Sequence, residues 1–217
     1  MGLNLTQSTV NMTLGSLLLA SGSPRRRVLL ADAGFNVRVL RGREVAEEHP
    51  DDMEVEKVPE YLSRLKATTY ADVAQSEGLP LVAGDTIVIL DGHEIGKPAD
   101  EAEARDILRR LNGRWHEVVS GVSLMLPRSG EMLSFSEKTR VKFAMLPREL
   151  IDRYVEVYKP LDKAGAYGIQ EWIGLVGVER IEGDFYNIMG FPVRRFVELY
   201  LSACPVSQRA LHGEEPL

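Results

Sequence analysis

The sequence is poor in the features that make many function classes easy to recognise. It has 217 residues and one cysteine, Cys204, so no disulfide can form within the chain, and a chain of this length can bury a core without one. Cys204 has no neighbours that would make it a reactive thiolate and reads as a packing residue suited to a reducing cytoplasm. No apolar run approaches the roughly 18 residues of a membrane span. No Lys or Arg precedes Arg25, so the basic opening of a signal peptide is missing. Cytoplasmic residence without a membrane partner is the expectation. Positive charge is also scarce: 26 basic against 32 acidic residues leave a net charge of −6. A general grip on nucleic acid therefore has no electrostatic support, and anions must be caught locally.

Familiar motifs are missing as well. There is no G-x-x-x-x-G-K-[S/T] phosphate loop, no G-x-G-x-x-G after a strand and no G-x-S-x-G elbow. His49, His93 and His116 fit no metal-ligand spacing and read as structural or exposed.

What is present is an ordinary globular composition, 44% hydrophobic and 27% charged, with no repeat or linker. One domain over residues 16–203 is expected, between a loose extension at 1–15 and a tail at 204–217. Residues 17–20 read as a strand, 25–33 as a helix stopped by Gly34, and 36–40 as a second strand. An acidic loop follows, and then a helix with Pro59 in its first turn and Leu62, Leu65, Thr69, Tyr70 and Val73 along one face. Two apolar strand pieces, 81–83 and 87–90, are interrupted by Gly84-Asp85-Thr86, and Asp91-Gly92 signals a tight turn. A helix at 100–111, a hairpin from strands at 116–126 and 132–143, and a helix at 147–157 come next. Then follow a Gly-rich passage to Gly177, a strand at 178–182 and a last amphipathic helix. The alternation predicts an α/β fold: a mixed twisted sheet with flanking helices, in two lobes around a central cleft.

Two segments carry chemical signal. Ser21-Gly22-Ser23-Pro24-Arg25-Arg26-Arg27 lies at a strand-to-helix junction, where unpaired N–H groups, small Ser and Gly and forked Arg donors suit phosphate; a capped surface helix with solvated arginines is the plain alternative. Asp85 interrupts an apolar run. It should bind a cation, be hydrogen-bonded or activate water, unless it is a turn aspartate at a strand break. Lys97, in Gly96-Lys97-Pro98, and Lys163, in the loop 160–170 that also carries Gln170, could meet phosphate or simply be solvated.

Taken in order, LLLASGSPRRRVLLADAGF, LVAGDTIVILDGHEIGKPADEAEARDILRRLNGRWHEVVSGV and PLDKAGAYGIQ…VERIEGDFYNIMGFPV resemble the Maf family of nucleoside triphosphate pyrophosphatases, from about Leu17 to Leu201. DKAGAYGIQ is similar to the branch acting on dTTP and UTP, whereas the branch hydrolysing 7-methyl-GTP has a different loop. The resemblance implies a two-lobed Maf/ITPase-like fold and a homodimer. It also implies hydrolysis of a nucleoside triphosphate to the monophosphate and pyrophosphate with Mg²⁺ or Mn²⁺, and a house-cleaning role toward modified nucleotides.

Asp85 matches the family's proton acceptor, and Arg25, Thr86 and Gln170 match positions of substrate choice. Ser21, Ser23, Arg26, Lys66, Lys97 and Lys163 would hold the phosphates. A second metal-facing carboxylate beside Asp85 falls in Glu44-Val45-Ala46-Glu47-Glu48, with Glu47 chosen and Glu44 in reserve. The Gln170 amide offers both the donor and the acceptor that the imide edge of thymine or uracil needs. Alternatives are the same reaction on 7-methyl-GTP or a modified pyrimidine triphosphate, and a nucleotide-binding regulator of cell division.

Overall fold

The computed structural model of the protein describes residues 13–46 and 48–204. Strand β1 (Gly15–Leu19), helix α1 (Pro24–Asp32) and strand β2 (Phe35–Val39) form a βαβ start with β1 and β2 parallel. Leu17, Leu18 and Leu19 are all fully buried, as a central strand covered on both faces requires. Pro24 opens α1, and the Ser23 side chain accepts from the Arg26 N–H, so the junction is a capped helix start. The extension expected at 1–15 lies outside the described residues as far as residue 12. Beyond that it is tied down, for the Leu14 N–H donates to Gly34 O at 2.8 Å and Gly15 begins β1.

After a 3-10 turn at Val55–Lys57 come helices α2 (Val58–Thr69) and α3 (Ala71–Glu77). The single helical face expected through Val73 is broken at Tyr70, whose buried ring turns its hydroxyl to accept from the Arg43 N–H at 3.1 Å. The inward face of α2 is Val58, Pro59, Leu62, Ser63 and Ala67.

A second correction concerns the apparent strand break. Leu81 to Leu90 is one continuous ten-residue strand, β3, with Asp85 and Thr86 in its interior. Asp91 and Gly92, both at positive φ, turn the chain tightly into β4 (His93–Ile95). Helix α4 (Glu101–Leu111) starts at an Asp100 cap, and β5 (Trp115–Met125) and β6 (Met132–Phe143) make the expected hairpin. Helix α5 (Arg148–Tyr158) follows. The Gly-rich passage holds a 3-10 turn at Ala164–Ala166 and helix α6 (Trp172–Gly177), ahead of β7 (Val178–Glu182), α7 (Phe185–Ile188) and α8 (Val193–Ala203). α6 and α7 are too short to show a period in the sequence.

The seven strands form one mixed sheet in the order β2-β1-β3-β5-β6-β7, with β4 also paired to β3. Side chains alternate between its faces. On one face Leu81 and Ala83 pack with Ala67, Tyr70 and Ala74 of the α2–α3 layer, while Ile87 and Ile89 join Val119 further along. On the other, Val82 belongs to a core with α1 and α8, and Val88 and Leu90 to a core with α4 and α5. Cys204 is buried in the first of these two cores. The apolar packing thus divides into two lobes at the middle of β3, and the polar pair Asp85-Thr86 occupies that division. No helix among the described residues is long and apolar enough to cross a membrane.

Candidate active site

The site exists because β1 is short. β1 pairs with β3 only at Leu81 and Val82, and β4 pairs only at Val88 to Leu90, so the edge of β3 from Gly84 to Ile87 has no strand partner there among the described residues. Beyond the end of β1 the chain turns through Ser21-Gly22-Ser23 into α1. A cavity of about 400 Å³ fills the resulting window. Its size suits a small-molecule ligand. Adjacent strand residues point to opposite faces, yet at this open edge both Asp85 and Thr86 reach the cavity.

On the α2 face, Asp85 lies directly across the β3–β5 pair from Gly121. A Cβ on Gly121 would stand 2.1 Å from the Glu60 nitrogen and 2.2 Å from the Pro59 carbonyl carbon. Only glycine lets the start of α2 rest on the sheet here. That close approach brings Lys66, two turns further along α2, to Asp85: Lys66 Nζ donates to Asp85 Oδ1 at 2.6 Å, with side chains 14% and 13% exposed.

On the opposite face Arg26 is buried and held by three neutral acceptors. Its Nε donates to Gly190 O at 2.9 Å, Nη1 to Ser21 Oγ at 2.9 Å and Nη2 to Thr86 Oγ1 at 3.0 Å. Thr86 Oγ1 also bonds Ser120 Oγ at 2.8 Å, and buried Asn187 accepts from Ser120 through its carbonyl. Thr86 therefore acts on the cavity through Arg26 as well as by facing it. The Ser23 hydroxyl oxygen accepts from the Arg26 N–H of its own helix at 3.5 Å.

The far wall comes from the loop after α5. Lys163 Nζ donates to Asp162 Oδ1 at 2.6 Å and pairs with Glu171 Oε1 at 3.2 Å, while Arg25 Nη1 crosses the cleft to Asp162 Oδ2 at 2.8 Å. Burial works against the Asp162 carboxylate, but the hydrogen bonds from Lys163 and Arg25 outweigh it and hold its pKa down at about 2. The Tyr154 hydroxyl donates to Glu171 and accepts from the Gly168 N–H at 3.2 Å, so α5 anchors the loop that presents Gln170. Gln170 is exposed at the cavity mouth, and Val88, Val118, Tyr167, Ile188 and Met189 supply apolar lining. Behind that lining Tyr167 bonds His116 Nε2 at 2.7 Å; burial lowers the His116 pKa to about 3 and keeps the ring neutral.

Ten of the residues that the sequence marks out line this one cavity: Ser21, Ser23, Arg25, Arg26, Lys66, Asp85, Thr86, Lys97, Lys163 and Gln170. Lys97 is the exposed member of the lysine set. Glu47 lies outside the described residues. Glu44 is exposed and does not line the cavity. Among the described residues no three His, Cys, Asp or Glu side chains gather into a metal cluster. The carboxylates lining the cavity are Asp85, bonded to Lys66, and Asp162, bonded to Arg25 and Lys163, and their hard oxygens suit a hard divalent cation. Sequence reasoning missed Asp162, Ser120 and the Gly190 carbonyl. Only Asp162 had a signal, its place beside Lys163.

Comparison with known proteins places this geometry in context. A family model described as Maf-like protein matches residues 16–203. A dTTP/UTP pyrophosphatase of Phocaeicola vulgatus is 45% identical over 187 residues, covering 85% of this chain and 94% of the relative. Proteins of the same name from Porphyromonas gingivalis and Cytophaga hutchinsonii are 44% and 43% identical over 184 and 182 residues. Each match covers 84% of this chain, with 92% and 81% of the respective relative.

Proposed function

This chain belongs to the Maf-like protein family, and from that premise we propose that it hydrolyses dTTP and UTP between the α- and β-phosphates, giving the nucleoside monophosphate and pyrophosphate. The observation that carries the reading is the convergence of Asp85, the Ser21–Arg26 helix start and Lys66, Lys97 and Lys163 on one cavity. A carboxylate among so many cationic and N–H donors suits a reaction that binds a polyanion and moves a proton. In that reaction a water oxygen bonds to the α-phosphorus while Asp85 takes the water's proton. The bond from that phosphorus to the bridging oxygen breaks, and pyrophosphate leaves with the electron pair. Arg26, fixed by Ser21, Thr86 and Gly190, holds its charge in place before substrate arrives. Lys66 orients the Asp85 carboxylate and sets a positive charge on the cavity wall.

Asp85, with Glu47 as the second candidate, would hold a divalent cation, Mg²⁺ or Mn²⁺, which would supply polarisation of the α-phosphoryl oxygen. Gln170 reads the imide edge of thymine or uracil, with the apolar lining around it leaving room for a methyl group.

The deciding experiment is product analysis with dTTP and Mg²⁺. The reading requires dTMP and pyrophosphate; dTDP and orthophosphate would overturn it. Chelation should stop turnover and added Mg²⁺ restore it, and chelator-resistant activity would remove the metal from the scheme. The same reading places the protein in the cytoplasm as a homodimer. Self-association is supported by exposed Met145 and Leu175, on segments joined by the Ala144 N–H to Gly177 O bond. Light scattering that returns the mass of one chain would exclude the dimer.

A further inference from the structure

Asp162 has the wrong sign for the lining of a polyanion's site, and the proposed hydrolysis makes no use of it. Its position is nonetheless specific. One carboxylate oxygen takes Lys163 and the other takes Arg25, so the side chain occupies a donor assigned to the nucleotide's phosphates and a second cation of the helix start that faces the same cavity. The Arg25 pair joins α1 on one wall to the loop after α5 on the other, 137 residues apart in sequence. Orientation alone does not require Asp162, because Glu171 already holds Lys163 from its other side. The Asp162 side chain is also 58% exposed, so it can swing into water without leaving an unsatisfied charge behind.

We propose that Asp162 is an internal counter-anion: it holds the Arg25 and Lys163 donors before substrate arrives and yields them only to a ligand bringing enough negative charge to take both. The inference rests on reading the cavity as a triphosphate site. A nucleotide tail with several phosphate charges outcompetes one carboxylate for two cations. A short or weakly charged anion does not, and the carboxylate's competition for the same two donors loosens the hold on the pyrophosphate product.

Asp162→Asn tests this, since it keeps the shape and an acceptor but removes the charge. Calorimetric titration with inorganic pyrophosphate should show binding about fivefold tighter than in the parent, the scale of a partly exposed ion pair. KM for dTTP should fall without a matching rise in kcat. Asp162→Glu should return both toward the parent, and in an Arg25→Ala background the Asn substitution should gain much less. Asp162→Ser makes the same prediction through a smaller side chain, so failure of one variant to fold leaves the other. Pyrophosphate binding that is unchanged or weaker in the folded variants, while the parent turns over dTTP, overturns the counter-anion. A parent that makes no pyrophosphate from dTTP or UTP, with the calorimetric gain present, overturns the pyrophosphatase reading and leaves Asp162 its role.

Discussion

Gly121→Ala should damage both the stability and the activity of this protein. The new Cβ would lie 2.1, 2.2 and 2.3 Å from backbone atoms of Glu60 and Pro59, where ordinary contact begins at 3.4 Å. Backbone cannot rotate away as a side-chain tip can, so α2 must retreat by about 1.3 Å or more. Overpacking of this kind costs about 1–3 kcal/mol, and the upper end applies because the obstacle is main chain. A gap of even 0.5–1 Å along the buried face of α2 would forfeit roughly a quarter to a half of its dispersion contacts. At about 2–4 °C per kcal/mol for a chain of this size, Tm should fall by roughly 6–12 °C. Activity should fall further, because the same retreat carries Lys66 off Asp85, and a misplacement of about 1 Å can cost about 10²-fold. Thermal unfolding and pyrophosphate release on one preparation provide the assay. Gly22→Ala is the stability control, for its Cβ meets nothing within 4 Å. A Gly121→Ala variant with Tm within about 1 °C of the parent and full turnover would refute the packing account of how Lys66 is positioned.

Asp85→Asn should lower kcat by on the order of 10³-fold, as expected for loss of a positioned base, without raising KM for dTTP. More than a tenth of the parent kcat remaining would remove Asp85 from the proton transfer. Gln170→Ala should erase the preference for dTTP and UTP over dCTP while leaving the fold intact, and a preserved preference would move base reading elsewhere. His116 gives a pH prediction. Its pKa near 3 in the folded protein against about 6.5 unfolded means that the unfolded chain binds the extra proton below pH 6.5. Stability is thus fully present above that pH and is lost as pH falls toward 3, by roughly 2 kcal/mol at pH 5. Urea midpoints at pH 7.5 and 5 should converge in His116→Gln, and an equal pH loss in parent and variant would contradict the assignment.

The parts legible in the sequence are those where local chemistry and tertiary role coincide. Ser23-Pro24 after an apolar run marks both a capped helix and the cavity rim, and Asp91-Gly92 marks the turn it makes. Gly84-Asp85-Thr86 was legible as chemistry but not as structure. Polar residues inside an apolar run look like a strand break, and here the strand continues because the missing partner on its edge lets them face a cavity. Lys66 carries no signal of its own, since its meeting with Asp85 depends on Gly121, more than fifty residues away. Asp162 was hidden by its sign, because a search for phosphate ligands passes over carboxylates.

One arithmetic property of β3 follows from the open edge. Acid and alcohol are consecutive, and the pleat sends them to opposite sides, one toward the lysine and the other toward the arginine. Loss or gain of a single residue ahead of Gly84 would exchange their destinations while leaving composition and hydropathy almost untouched. The loops on either side can absorb changes in length; this strand can absorb them only in twos.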